Sequence, residues 1–299
     1  VGSTAVSSYQ YIDGADVALV QNGAVLKIQM MDTGYLVNYL PAGADKFIDA
    51  EDANPLVQQY INKLFIFNTK GSKAPAITNV WQLCEPEMKG SVFFKSPETE
   101  KVNENFLIML TSKQWSDKLA AAYKNLYGKD IQLGSYKNAG YKWIAEFLAN
   151  CTFGDSDTKL AEEISNDEAE GKLGLFVFSK LRSKTVKKGN LEVEAYYADS
   201  KNTKVEPFAG FMYPLYVMIS KSTTMPYTSM LFVDFLISSE GFKPWGKSIG
   251  AYSSNNTVGV NEGDKNLSYW KERLVMEDPD YINSAYADVF EFISKCLSK

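Results

Sequence analysis

Compact apolar runs alternate along this chain with stretches of helical periodicity. Asp16–Val20 (DVALV), Leu64–Asn68 (LFIFN), Ser91–Lys95 and Leu173–Phe178 (LGLFVF) are short and rich in aliphatic and aromatic residues, so they predict buried strands. Phe211–Ile219 is a longer run of the same kind. Leu191–Tyr197 differs: Leu191, Val193, Ala195 and Tyr197 alternate with Glu192, Glu194 and Tyr196, the pattern of a half-buried strand. Between the runs, apolar residues recur every three or four positions. A helix is predicted from about Asn103 to Leu110, and two more on Trp115, Leu119, Ala122, Tyr123, Leu126 and on Trp143, Ile144, Phe147, Leu148. Leu267, Trp270, Leu274 and Val275 mark another, and Ile282, Ala285, Tyr286, Val289, Ile293, Cys296 and Leu297 the last. These stripes read as core. Asp155–Glu170 is acidic and helical in character, with most of its charge on a solvated face.

The stretch from Glu206 to Tyr252 is the most informative. After the strand, Thr223, Thr224 and Pro226 supply cap and first-turn chemistry for a helix. Met230, Leu231, Phe232, Val233, Phe235, Leu236 and Ile237 make that helix apolar almost all round, which predicts a place inside an α/β core. It stops at Ser239-Glu240-Gly241, with Gly241 suited to a left-handed cap. Gly250–Asn255 follows as a turn element.

This order resembles the return crossing of the extracellular solute-binding proteins that feed ABC importers, and the resemblance runs from about Asp16 to about Phe292. Trp81, Leu83, Pro86, Lys89 and Gly90 are similar to that family's segment entering the second lobe. The resemblance implies an α/β, two-lobed periplasmic-binding-protein-like (type II) fold with mixed sheets and hinge-crossing strands. The first lobe is expected in residues 1–75, the second in 76–205, the return in 206–255 and C-terminal helices in 256–299. A small solute would be held in the interlobe cleft, with the loop at Gly250–Asn255 facing it, and closure would present both lobes to an ABC permease in the membrane. The family setting is extracytoplasmic, either periplasmic or lipid-anchored at the outer face of the cell membrane. A monomer without cofactor is expected, and no enzymatic activity.

Composition narrows the alternatives. The 299 residues suffice for two domains, and no stretch of about 18 uninterrupted apolar residues occurs. A net charge of −5 with dispersed lysines argues against nucleic acid as the main partner. Cys84, Cys151 and Cys296 are irregularly spaced, so buried thiols are expected in place of a disulfide framework or zinc site. Histidine is absent, which excludes His-based triads, bases and metal ligands within the chain. Enzymes and sensor modules on the same scaffold remain the rivals. Turnover would reveal the first, and a fused signalling segment the second.

Candidate site residues follow from strand ends, because ligand sites in α/β sheets form outside the carboxyl ends of strands. Asn22 and Gly23 follow Asp16–Val20 and are positioned for a cleft, a plain turn being the alternative. Ser96 and Thr99 lie between a strand and a helix start whose backbone N–H groups suit an anion; an ordinary capped helix is the other reading. Ser179, Lys180 and Arg182 follow Leu173–Phe178 and suit a carboxylate or phosphate. Phe211 and Tyr213 fall near the expected return hinge, where an aromatic ring lines the ligand or packs. Together these favour an organic anion as solute.

Two departures from the family stand out. Only fifteen residues precede Asp16–Val20, so the family's first strand–helix–strand unit is expected to be missing, and no signal peptide opens the chain. Iron-binding members carry a Tyr-Tyr pair where this chain has Ser179-Lys180. Tyr196-Tyr197 lies on the next predicted strand, where adjacent side chains diverge. A ferric site is therefore the lesser reading.

Overall fold

A computed structural model describes residues 15–68, 77–177, 191–193, 205–246 and 249–298. Strands and helices alternate along these residues, and the chain divides into two units. Unit 1 comprises residues up to Asn62, Met212–Trp270 and Glu277–Pro279; unit 2 comprises Lys63–Phe211, Lys271–Met276 and the chain from Asp280 onward. The polypeptide passes from unit 1 to unit 2 inside strand β3 (Val57–Asn68) and back inside another long strand, Gly210–Ser220. Both are buried along nearly their whole length. Among the described residues no helix is long and apolar enough to cross a membrane.

In unit 1, β1 (Val17–Val20) runs into Asn22, whose side chain caps a helical segment that begins as α1 (Gly23–Val25) and continues π-helical through Met31. β2 (Leu36–Val37) follows. Both strands pair antiparallel with the returning strand, Val17 opposite Ile219 and Leu36 opposite Ser220. The first part of β3 pairs with Ala251–Ser253, Tyr60 facing Tyr252. A core of Ala44, Ile48, Leu56, Val217 and Ile219 is closed by Val233, Leu236 and Ile237 from a helix at Pro226–Ile237.

In unit 2 the later part of β3 pairs antiparallel with β6 (Leu173–Val177), Lys63 opposite Val177. β4 (Val92–Lys95) lies parallel to both β6 and β5 (Cys151–Gly154). Helices α2 (Lys101–Leu110), α3 (Lys113–Tyr127), α4 (Ala139–Asn150) and α5 (Asp157–Ile164) pack around this sheet. β7 (Leu191–Val193) adds to β3. The apolar stripes meet at Phe208, whose ring lies 5.6–6.4 Å from those of Phe65, Phe106, Trp115 and Trp143.

The remaining elements are β8 (Gly210–Ser220), α6 (Pro226–Ile237), α7 (Ser239–Phe242), β9 (Ala251–Ser253), α8 (Leu267–Lys271), β10 (Val275–Met276) and α9 (Pro279–Leu297). Four expectations need correction. The strand expected at Leu64–Asn68 starts at Val57, because Gln58, Gln59, Asn62 and Lys63 are buried in it despite their polarity. α6 is not enclosed: only Ser229, Val233, Leu236 and Ile237 are buried, while Leu231, Phe232 and Phe235 are exposed. Gly241 is not a left-handed cap. It sits inside α7, where an added Cβ would fall 1.9 Å from the Phe235 carbonyl oxygen, so the position needs glycine for close approach. Leu274 and Val275 do not extend a helix; the chain leaves α8 and forms β10.

Candidate functional site

Because β4, β5 and β6 are parallel, their carboxyl ends at Lys95, Gly154 and Val177 share one edge of the unit 2 sheet. The N-termini of α2 and α5 arise at the same edge. A buried lysine organises it. Lys63, 1% exposed, donates to Asn103 Oδ1 (2.9 Å) and lies 3.1 Å from Asp157 Oδ2 and 3.9 Å from Glu100 Oε2. Asn103 Nδ2 donates to the Lys95 carbonyl (2.7 Å), and Asp157 Oδ2 accepts from the Val177 N–H (3.4 Å). One network therefore ties the last carbonyl of β4 to the last N–H of β6. Lys95 pairs with Glu100 at 2.5 Å. Asp157 is 8% exposed, and its Oδ1 has no partner among the described residues.

Ser96 and Thr99 sit beside this edge but present few open donors. The N–H groups of Thr99 and Glu100 both donate to the Ser96 carbonyl (3.1 and 3.0 Å), and the Glu98 N–H donates to Ser96 Oγ (3.3 Å). These N–H groups of the turn are thus satisfied internally, and the residue at the N-cap position of α2 is the acid Glu100, whose carboxylate pairs with Lys95 and makes no capping hydrogen bond. Lys63 and Lys95 are matched one for one by Asp157 and Glu100. Ser179, Lys180 and Arg182, which follow β6 in sequence, lie outside the described residues, as does Tyr196-Tyr197.

In unit 1, Asn22 accepts from the Val25 N–H (3.1 Å) at the carboxyl end of β1. Gly23 is buried, and a Cβ there would lie 2.7 Å from the Tyr216 hydroxyl and 2.9 Å from Pro279 Cγ. Glycine is required because Tyr216, opposite Val20, fills the space a side chain would take. Behind it, Tyr60 donates a short hydrogen bond to Asp52, both side chains being buried. Burial, then the Asp52 charge, pushes the Tyr60 phenol far above its ordinary pKa; burial and the nearby Glu277 and Asp52 do the same to Tyr216. Both therefore stay protonated, and Tyr60 donates to Asp52. Sequence pattern missed Asp52, Tyr60 and Tyr216: Tyr216 lies inside an apolar run and reads as packing, and Tyr60 lies in a polar stretch that does not read as a strand.

The aromatic pair divides. Phe211 is buried and stacks on Phe106, centroids 4.5 Å apart, which makes it a core residue of unit 2. Tyr213 belongs to unit 1 and is also buried. The segment Gly250–Asn255, expected as a ligand-facing loop, contains strand β9, and its polar ends are occupied. Ser254 Oγ donates to the Val57 carbonyl (2.5 Å) and Asn255 Nδ2 to that of Ile237 (2.9 Å). Asp264 is the local anchor, accepting from Tyr252 Oη (2.9 Å), the Gly250 N–H (2.9 Å) and Trp270 Nε1 (3.2 Å).

No protein-family model and no curated protein sequence matches the chain. Solved structures do. A ferric binding protein from Campylobacter jejuni superposes with a TM-score of 0.70 at 13% identity, over 97% of this chain and 86% of the other. The fold is that of the two-lobed, type II periplasmic binding proteins. The periplasmic binding protein AfuA from Actinobacillus pleuropneumoniae, with fructose-6-phosphate bound, matches with a TM-score of 0.64 at 16% identity, over 98% and 85%. An ABC transporter protein from Clostridium perfringens gives 0.59 at 11%, over 98% and 87%.

Proposed function

We propose that this chain is the extracytoplasmic solute-binding component of an ABC importer, delivering a small solute to a membrane permease without chemical turnover. The observation that carries the reading is the likeness, over 97–98% of the chain, to proteins described as ferric-binding, periplasmic binding and ABC transporter proteins. The buried polar groups at the strand ends support it. Binding needs a rigid frame, and the Lys63–Asn103–Asp157 and Asp52–Tyr60 interactions help to fix one. Asn22, Gly23, Ser96, Thr99 and the sequence Ser179-Lys180-Leu181-Arg182 are the contact candidates, and the last of these is the part that favours an organic anion.

Ferric ion is the second reading. Several matched structures are described as ferric-binding or iron-bound proteins. Native mass spectrometry of the purified chain before and after denaturation decides between them. A lost mass matching an organic anion supports the first reading, and one matching iron the second. No bound mass, together with no thermal shift across a metabolite and metal panel, would overturn the solute-binding assignment.

A further inference from the structure

Unit 2 carries a pocket of about 300 Å³ away from its strand-end edge. Its walls include Trp81 and Glu85 from the segment ahead of β4, Tyr123 and Tyr127 from the last turns of α3, and Lys142 and Glu146 from α4. All six belong to unit 2. The pocket lies toward the amino ends of the parallel strands. Asn150, the last residue of α4 before β5, donates from its amide to the carbonyls of Leu83 and Glu85 (2.9 and 2.8 Å) and so ties this segment to the start of β5. Lys95 and Gly154 mark the opposite ends of β4 and β5.

The aromatic side of the pocket is one continuous wall. Trp81 and Tyr123 meet edge to face with centroids 5.1 Å apart, and Tyr127 leans on Tyr123 at 4.6 Å. Trp81 is buried and anchored by its Nε1 donating to the Leu119 carbonyl (2.8 Å), whereas Tyr127 is 37% exposed. The charged side is unbalanced. Lys142 pairs with Glu146 at 2.8 Å, but Glu85 has no cation partner among the described residues, and its carboxylate accepts from the Tyr127 hydroxyl (3.0 Å). Glu85 is therefore held in place through both its backbone and its side chain, beside an aromatic ring, with its charge unmatched.

We propose that this pocket binds an organic ammonium ion, its charged head against the Tyr123–Tyr127 wall and Glu85 its counterion. A weakly hydrated cation gains from an aromatic face and a nearby carboxylate together. A metal ion fits less well, because among the described residues no group of three carboxylate or thiol ligands is placed to hold one. The volume stands at the lower end of the range for small-molecule pockets, which suits a compact head such as trimethylammonium. This role is additional to solute delivery and does not depend on it.

Choline is the probe, and its uncharged carbon isostere 3,3-dimethylbutan-1-ol is the control. Proton NMR titration of the choline N-methyl resonance against the full chain reads both affinity and ring contact, since methyl groups over an aromatic face move upfield. The expected result is binding in the low-millimolar range with an upfield shift, and much weaker binding of the isostere. Glu85→Gln should weaken choline several-fold. Tyr127→Ala should remove most of the affinity and the upfield shift, and Tyr127→Phe, which keeps the ring, should preserve both. Tyr127 is exposed and Glu85 half-buried, and circular dichroism checks that each variant is folded. No binding at about 50 mM choline overturns the proposal. So does an isostere that binds as well as choline, or choline binding that either Glu85→Gln or Tyr127→Ala leaves unchanged, which would place the ligand elsewhere on the chain.

Discussion

Replacing Lys63 by Met tests whether the buried network holds the strand ends of unit 2 together. Lys63 is 1% exposed and its ammonium bridges Asn103 and Asp157 at 2.9 and 3.1 Å, with Glu100 at 3.9 Å. Methionine fills much the same volume but leaves Asp157, 8% exposed, as a buried carboxylate without its cation. Breaking one side of a buried pair costs about 3–5 kcal/mol, because the surviving charge keeps its desolvation penalty and loses its compensation. The exposed pair Lys113–Asp117 sets the scale for comparison. Its partners are 90% and 65% exposed, and Lys113→Met should cost roughly 0.5 kcal/mol or less.

Urea unfolding followed by tryptophan fluorescence reads the difference, since Trp81, Trp115 and Trp143 all belong to unit 2. The double replacement Lys63→Met with Asp157→Leu removes both charges, and should recover a large part of the loss, since an apolar pair of similar volume often matches a buried ion pair. If Lys63→Met costs no more than Lys113→Met, or if the double variant is worse than the single by a full additional increment, the network is not what fixes this edge.

Two further outcomes follow from local geometry. Gly210 has φ +146°, and a Cβ there would lie 2.1 Å from the Lys63 carbonyl oxygen, so Gly210→Ala should lower the urea midpoint sharply through combined strain and clash; an unchanged midpoint would contradict the close approach of β8 to β3. Burial raises the Glu104 carboxyl pKa, the Lys101 ammonium 2.7 Å away only partly opposing it. A raised folded-state value means the native state binds this proton more tightly than the unfolded chain. The group's contribution is therefore full below the ordinary carboxylate pKa and is lost as pH climbs through the raised value. Glu104→Gln should then raise the thermal midpoint at about pH 8 and leave it near the parent's at about pH 3.5; an equal shift at both would point to packing.

Much of the fold was legible because its core strands are apolar runs and its helices carry regular stripes. The misses have a common cause: pattern rules treat polarity as exposure. Gln58-Gln59-Tyr60-Ile61-Asn62-Lys63 breaks every strand template, yet it is the buried first half of β3. Some of its polar groups find partners across the fold, as Lys63 does in Asn103 and the Asn62 amide N–H in the Tyr252 hydroxyl (3.1 Å), while Gln58, Gln59 and Asn62 each keep an amide oxygen without a partner among the described residues. Asp157 falls in the acidic stretch Asp155–Glu170, most of whose charge reads as solvated, and nothing in the pattern singles it out, whereas its position at the first turn of α5 turns it to Lys63. The reverse error occurred at α6. An all-round apolar helix predicts full enclosure, and the sequence does not reveal that a neighbour covers only one side of it. Asn22 and Gly23 are candidates from strand-end position and family resemblance, whereas Asp52, Tyr60 and Tyr216 come from distant segments that only the folded chain brings near.

The charge balance at the unit 2 edge gives a way to read the solute's sign without knowing its identity. Among the described residues the two lysines are matched by two carboxylates, and Glu100 stands 21% exposed against Lys95 at 2.5 Å. An anionic solute reaching this edge competes with Glu100 for Lys95; a cationic one gains from Glu100. Glu100→Gln removes the carboxylate charge and keeps the shape, so Lys95 is freed of its counterion. One unit charge a few ångströms away in a partly hydrated site is worth on the order of 1 kcal/mol, or several-fold in affinity. Isothermal titration with the solute that native mass spectrometry identifies should therefore show Glu100→Gln binding an anion several-fold tighter and a cation several-fold weaker. Each effect should shrink as salt rises, because the site is only partly buried. Affinity that stays within twofold of the parent's at low salt, for a charged solute, would mean that the solute does not meet this edge, and would move the binding role to the β1–α1 turn of unit 1.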